Sequence, residues 1–466
     1  MIYLVTNQQE LFSNDSYKVL AVDDSLKMMS TWGVIQVDSE TNGKDAHIND
    51  FLCVQFGNDK ADARIVVDTS TVDIKLYKDI LENTLNIYQN AKFDLQFFYN
   101  YGIIPRKVYD TMIVEQFLHL GYPTGLTFNP EEYIKRGCSF PYKVNKDKKT
   151  GRITYTLSYA LNSIAKNRLN IDIDKTVRGE IIWRGLDTSV IKYAAGDVTY
   201  LEQIMWSQVA DLKKIPNALI GAKIECDFVP VVAYLEWCGI KLDESKWLKK
   251  MERDKKNLDI SIKALNDFVL RTPILKEKFT FINRQGDLFE GWNLEPQVKI
   301  NWNSPDVIKV AKLLGFNTTI QDKNTGEDKE SAMEKHLRSQ KGINDEFLRL
   351  YFGEGEEDDE DYFPGYSGSF KVCTSFGQGH LNAINPNTGR IHTIYRSIGT
   401  ISGRMSSGSK QPNTDLAKLK HLSEKVCKYP NMQQLPHDEL TRACFIAEKG
   451  NLFCSCDYSA RLNYSH

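Results

Sequence analysis

Two acids one residue apart, Asp38 and Glu40, close the run Val34-Ile35-Gln36-Val37-Asp38-Ser39-Glu40, and a turn follows at Thr41-Asn42-Gly43. In an extended strand residues i and i+2 share a face, so both carboxylates leave the sheet on one side at its end. Like charges held that close repel one another and invite a divalent cation between them. A solvated turn carries the same pattern, so the pair gains meaning only from further acids. Asp94 follows Asn90-Ala91-Lys92-Phe93 at a strand-to-helix turn. Tyr193 and Asp197 stand four apart on a helical run, so they share a face and can address one site.

The elements that must position these groups follow from hydrophobic patterning. Val34–Val37, Leu52–Phe56 and Arg64–Val67 predict an antiparallel meander of three strands. Helical spacing follows from Leu76 to Leu85, then a fourth strand over Asn86–Gln89, then a helix from Asp94 through Tyr101. Asp110 is the expected N-cap of a helix over Thr111–His119. Residues 121–152 predict a loop whose Lys143, Lys146, Lys148, Lys149 and Arg152 mark a solvated hairpin tip, with phosphate contact as the minority reading. A further helix is expected over Leu157–Asn167.

The ordered set Asp38-x-Glu40, Asn90-x-x-Phe93-Asp94 and Tyr193-x-x-x-Asp197 resembles the proofreading exonucleases of the DEDD group, in the subtype with Tyr in its third motif, over roughly residues 30 to 205. The resemblance implies a ribonuclease-H-like fold and a site of two divalent cations, Mg2+ or Mn2+, held by Asp38, Glu40, Asp94 and Asp197. It further implies that Tyr193 positions the attacking water and that Asn90 and Phe93 support the substrate 3′ end. Such residue types suit phosphodiester hydrolysis, where two cations about 4 Å apart activate water and stabilise phosphoryl charge. Hard oxygen ligands favour these metals, and no histidine or cysteine cluster competes for a softer one.

Farther along, Ile224–Trp237 reads as a helix, Gly239 as its C-terminal stop, and Asp243–Phe268 as a long charged helix. Asn301-Trp-Asn-Ser-Pro305 announces another helix, and this segment resembles the thumb of family A (DNA polymerase I type) polymerases. The run Glu354–Asp361 reads as a solvated acidic loop. Between Tyr362 and Pro436 stand nine Lys or Arg against two acids, Asp415 and Glu424, a local phosphate-binding footprint that the net charge of -2 conceals. Gly389-Arg390-Ile-His392, Ser402-Gly403-Arg404, Tyr429-Pro-Asn-Met-Gln433 and Asp457-Tyr-Ser459 resemble the entry into the palm of the same family. That resemblance implies nucleic-acid contacts by Lys371, Arg390, His392, Arg404 and Gln433, and makes Asp457 the first palm aspartate. The pattern breaks at Ala460–His466, which implies an incomplete palm: a truncated or interrupted reading frame, or a split polymerase completed by a second chain.

The expected class is therefore α/β plus α+β: a ribonuclease-H-like exonuclease domain (1–215), a mostly helical thumb (216–370) and an incomplete polymerase palm (371–466). The expected partners are DNA, as a single-stranded 3′ end and as primer-template duplex, and no membrane. A chain of 466 residues exceeds one core. Nine cysteines without a CxxC pair, and no leader-like or membrane-spanning run, imply a reduced cytoplasmic protein, in a host's cytoplasm if the phage-like character holds. The rivals are a nucleic-acid-binding fragment or subunit with an idle exonuclease, and an RNA-trimming enzyme built on the same acids.

Overall fold

The computed structural model describes residues 1–454 apart from 9–12, 122–140, 147–150, 152, 174–181, 183–184, 283–295, 304, 322–327, 341, 356–358, 360 and 401. Lys148, Lys149, Arg152, much of the acidic run and Asp457 lie outside the described residues. Packing divides the chain into two units, Met1–Ile240 with Ala383–Gln433, and Lys241–Asn382 with Gln434–His466. These are packing units; the cuts expected at 215 and 370 concern kinship, which packing does not decide.

The first unit is built on a seven-stranded sheet of β1 (Ile2–Val5), β2 (Lys18–Val19), β3 (Val34–Thr41), β4 (Phe51–Asn58), β5 (Ala63–Asp68), β6 (Leu85–Tyr88) and β7 (Val108–Asp110), in the order β2-β1-β5-β4-β3-β6-β7. The expected meander is present, since β3 pairs antiparallel with β4 and β4 with β5. Strand β6 pairs parallel with β3, as a connection through a helix allows. Strand β5 is buried throughout, which its Ile-Val-Val centre tolerates because both faces of the sheet are covered.

Alternation along β3 sorts its side chains into two layers. Ile35 and Val37 join a core with Leu95, Phe97 and Phe98 of α3 (Ala91–Asn100), where α1 (Val22–Met29) contributes Met29. Helix α2 (Lys78–Asn83) adds Leu81 to the same core. On the other face Leu4, Cys53 and Val66 pack on Ile191, Ala194 and Ala195. Beside them Ile87 packs on Leu161, Ile164, Leu201 and Ile204. Those residues belong to α5 (Leu161–Leu169), α6 (Thr188–Asp197) and α7 (Leu201–Leu212), with α4 (Thr111–Leu118) earlier in the chain. Leu157 ends a strand instead of opening α5: Tyr142–Lys146 pairs antiparallel with Ile153–Leu157, the hairpin expected around the lysine-rich turn.

Helix α8 (Ala218–Cys238) completes the first unit and contributes Val229 and Ala233 to the main core. It stops at Gly239, whose φ of 60° and close approach to the Ile391 carbonyl (2.8 Å from an added Cβ) leave no room for a side chain. In the second unit Asp243 caps the 28-residue helix α9 (Glu244–Arg271), accepting from the Lys246 N–H. Leu265, Phe268 and Val269 of that helix share a core with Trp302, Val307, Val310 and Phe347. At its other end Lys250 is fully buried, donating to the Phe376 carbonyl at 2.6 Å and pairing with Asp254 at 2.7 Å.

Candidate metal centre

Asp38 and Glu40 lie inside β3, opposite Gln55 and Cys53 of β4, and so project from one face of the sheet. That face is the one covered by α6, where Asp197 stands in the last turn, buried to 4% exposure. Asp187 starts α6 by accepting from the N–H groups of Ser189 and Val190, and Ile191, Ala194 and Ala195 turn that helix's apolar side to the sheet. One carboxylate oxygen from each of Asp38, Glu40 and Asp197 falls within 4.8 Å of the others. Three converging anionic oxygens repel unless a cation or protons intervene, and hard oxygen donors at this spacing fit a divalent metal.

Asp94 is placed differently. It sits in the first turn of α3, on the layer opposite α6, and Ser39 Oγ donates to its Oδ1 at 2.5 Å. Ser39 lies between the two acids on β3 and therefore faces the other way, so it reaches Asp94 while Asp38 and Glu40 reach Asp197. Burial drives the Asp94 carboxyl up to about 8; the Ser39 hydrogen bond opposes this, and the Asp110 and Glu40 carboxylates add to it. The expected four-acid set is thus gathered as three acids with Asp94 beside them.

Asn90 adopts a left-handed conformation, φ 68° and ψ 51°, at the head of α3, a geometry that Asn tolerates better than most residues. Its backbone N–H donates to Asp110 Oδ1 at 3.1 Å, and the Ala91 N–H donates to Oδ2 at 2.8 Å. The same carboxylate accepts from Met112 and Ile113, so the expected N-cap of α4 also caps α3. Spacing alone revealed only the first of these roles. Phe93 is half-buried, 5.2 Å from the Phe97 ring. Lys92, between Asn90 and Asp94, donates to Glu236 of α8 and to the Tyr395 carbonyl, each at 2.6 Å. A lysine inside the Asn-x-x-Phe-Asp motif and an acid inside an apolar helix were the available signals for this pair.

Of the residues expected on nucleic acid, Lys371, Arg404 and Gln433 are exposed. Arg390 and His392 are engaged inside the first unit instead. Arg390 Nη1 donates to the Cys238 carbonyl at 2.8 Å, and His392 shares hydrogen bonds with the Glu236 carbonyl and Thr388. Burial depresses His392 to about 4, so it carries no positive charge for a phosphate at neutral pH.

The first unit is thus a three-layer α/β/α arrangement with an acidic group between a sheet face and a late helix. Residues 17–208 match the family model described as 3'-5' exonuclease of the DNA polymerase A type, so the chain carries such an exonuclease domain. It is 22% identical over 461 residues to DNA polymerase I of Aquifex aeolicus, covering 93% of this chain and 59% of that protein. It is 34% identical over 93 residues to DNA polymerase I of Caldicellulosiruptor bescii, covering 19% of this chain and 9% of that protein. The POL domain of Pol1 from M. smegmatis, in complex with DNA primer-template and dNTP, superposes with a TM-score of 0.58 at 15% identity, over 92% of this chain and 57% of that one. That likeness is one of fold, and the chain spans less than two thirds of the relatives it matches.

Proposed function

We propose that this chain is a metal-dependent 3′-5′ exonuclease that removes nucleotides from DNA ends, the proofreading half of a family A DNA polymerase. The observation that carries the proposal is the convergence of Asp38, Glu40 and Asp197 within 4.8 Å. These three hold the first divalent cation, Mg2+ or Mn2+, and Asp94 completes the set. Bound there, such cations supply Lewis-acid stabilisation of phosphoryl charge and an activated water. A cation held beside Asp94 would favour the charged carboxylate that burial disfavours. Tyr193, one helical turn before Asp197, orients the attacking water, while Asn90 and Phe93 hold the terminal nucleotide against the site. Arg404, Gln433 and Lys371 meet the phosphate backbone of the duplex.

The test is digestion of a 3′-labelled single strand, DNA beside RNA, with and without Mn2+. Wild type should release mononucleotides from DNA only with metal, and folded Asp38→Ala and Asp197→Ala chains should release none. Activity in either variant refutes the site, binding without digestion turns the reading toward an idle exonuclease on a DNA-binding subunit, and preference for RNA turns it toward an RNA-trimming enzyme.

A further inference from the structure

We infer that residues 383–433 form part of the framework of the metal centre and that Asp415 is a positioning residue for the strand carrying Asp38 and Glu40. The inference rests on the exonuclease reading above, yet Asp415 lies far outside the segment 17–208 that matches the exonuclease family. Its Oδ2 accepts three hydrogen bonds from the loop joining β3 to β4: the Lys44 N–H at 2.6 Å, the Asp45 N–H at 3.0 Å and Asn49 Nδ2 at 3.0 Å. Asn413, which caps the short helix Thr414–Leu419, donates from Nδ2 to Asp45 Oδ2 at 3.2 Å. Asn387 donates to the His47 carbonyl at 2.9 Å, and the His392 ring lies 3.9 Å from the His47 ring.

The same segment grips the second element of the site. The Tyr395 N–H donates to Glu236, the Tyr395 carbonyl accepts from Lys92, and Glu236 pairs with Lys92. Both the exit of β3 and the head of α3 are therefore held by residues that follow them in the chain by about 300 positions or more.

A hairpin loop ordinarily opens at little cost and takes the ends of its strands with it. Here the strand end carries two carboxylates pressed toward a third, and fraying would relieve their repulsion by separating them. Three donors on one carboxylate oxygen oppose that, since hydrogen bonds to a carboxylate are stronger than those to a neutral acceptor. Gly43 shows how tightly the loop is folded under this clamp. A Cβ there would lie 2.3 Å from the side chain of Asn49, which is itself bonded to Asp415.

The experiment uses the full chain and two readouts that need no nuclease activity: hydrogen exchange at the Lys44 and Asp45 amides, and Mn2+ binding followed by electron paramagnetic resonance. In Asp415→Ala those amides should exchange faster while β5 keeps its protection, and Mn2+ should bind about tenfold more weakly, the lower end for outer-shell partners of a metal. Asp415→Asn retains an acceptor oxygen and should recover most of both. If Asp415→Ala fails to fold, Gly43→Ala, which displaces Asn49 from the same clamp, decides by the same two readouts. Unchanged Mn2+ affinity in the folded variant overturns the inference, whatever the loop does. A wild-type chain that binds Mn2+ but digests no strand overturns the exonuclease reading alone, leaving the positioning role to be judged by these measurements.

Discussion

Ser39 donates its hydroxyl proton to Asp94 across 2.5 Å, which ties the residue between the two metal-facing acids to the acid on the neighbouring helix. Asp94 is 2% exposed, and burial holds its carboxyl near 8, above the ordinary value of 3.8. A raised folded value means that the folded chain holds a proton that the unfolded chain has released. The associated stability is complete below pH 3.8 and is lost as pH rises through about 8. Asp94→Asn should therefore raise the melting temperature of the metal-free chain at pH 7.5, by roughly 2–4 °C for each kcal/mol relieved. The gain should shrink toward pH 4. A gain that grows toward pH 4 would contradict this sign.

Tyr193 shares a face of α6 with Asp197, one turn away. Replacing its hydroxyl in Tyr193→Phe should lower kcat by about a hundredfold, the scale of a lost proton-handling or water-orienting group, with little change in KM. Single-turnover digestion of a labelled strand measures it; a change confined to KM would assign the residue to strand binding.

Asp110 accepts four backbone hydrogen bonds, two from the head of α3 and two from the head of α4. Asp110→Ala removes both caps and leaves those N–H groups buried. A loss of about 2–4 kcal/mol is expected from two caps together. Urea denaturation checks the figure, and a loss under 1 kcal/mol would show that water takes over the role.

His380 is buried against Trp247, ring centroids 4.8 Å apart, and among the described residues neither of its nitrogens has a hydrogen-bond partner. Burial and the Lys250 ammonium push it down to about 4. A depressed value means that the unfolded chain takes up the proton first. The stability is present above pH 6.5 and is lost as pH falls toward 4, at up to about 1.4 kcal/mol per pH unit. Thermal melting between pH 7.5 and 4.5 should show this decline, and His380→Phe should flatten it.

Local pattern made the local features legible. The meander β3-β4-β5, the pairing of Tyr193 with Asp197 on one helix and the cap at Asp110 follow from periods of two and four and from side-chain chemistry. Strand β7, three residues long, is too short to show alternation, and β1 and β2 give no signal beyond a brief apolar run. The helix of the second acid motif begins at Ala91, three residues before the expected Asp94, because Asp110, twenty positions from Asn90, supplies the missing cap. The bond between Ser39 and Asp94 depends on which helix covers which face, information that no single strand carries. The inward placement of Arg390 and His392 has the same origin: their partners, Cys238 and Glu236, are more than 150 positions away.

The first packing unit is discontinuous in the chain, Met1–Ile240 closing only with Ala383–Gln433. During synthesis the 142 residues between Ile240 and Ala383 must leave the ribosome before the clamp on the metal strand can form. At 5–20 residues per second that interval is about 7–30 s, long enough for a nascent sheet to fold with its site loop open. Ribosome-bound chains arrested shortly after residue 240 should thus be cut by protease within the loop between β3 and β4, whereas chains arrested well past residue 433 should resist.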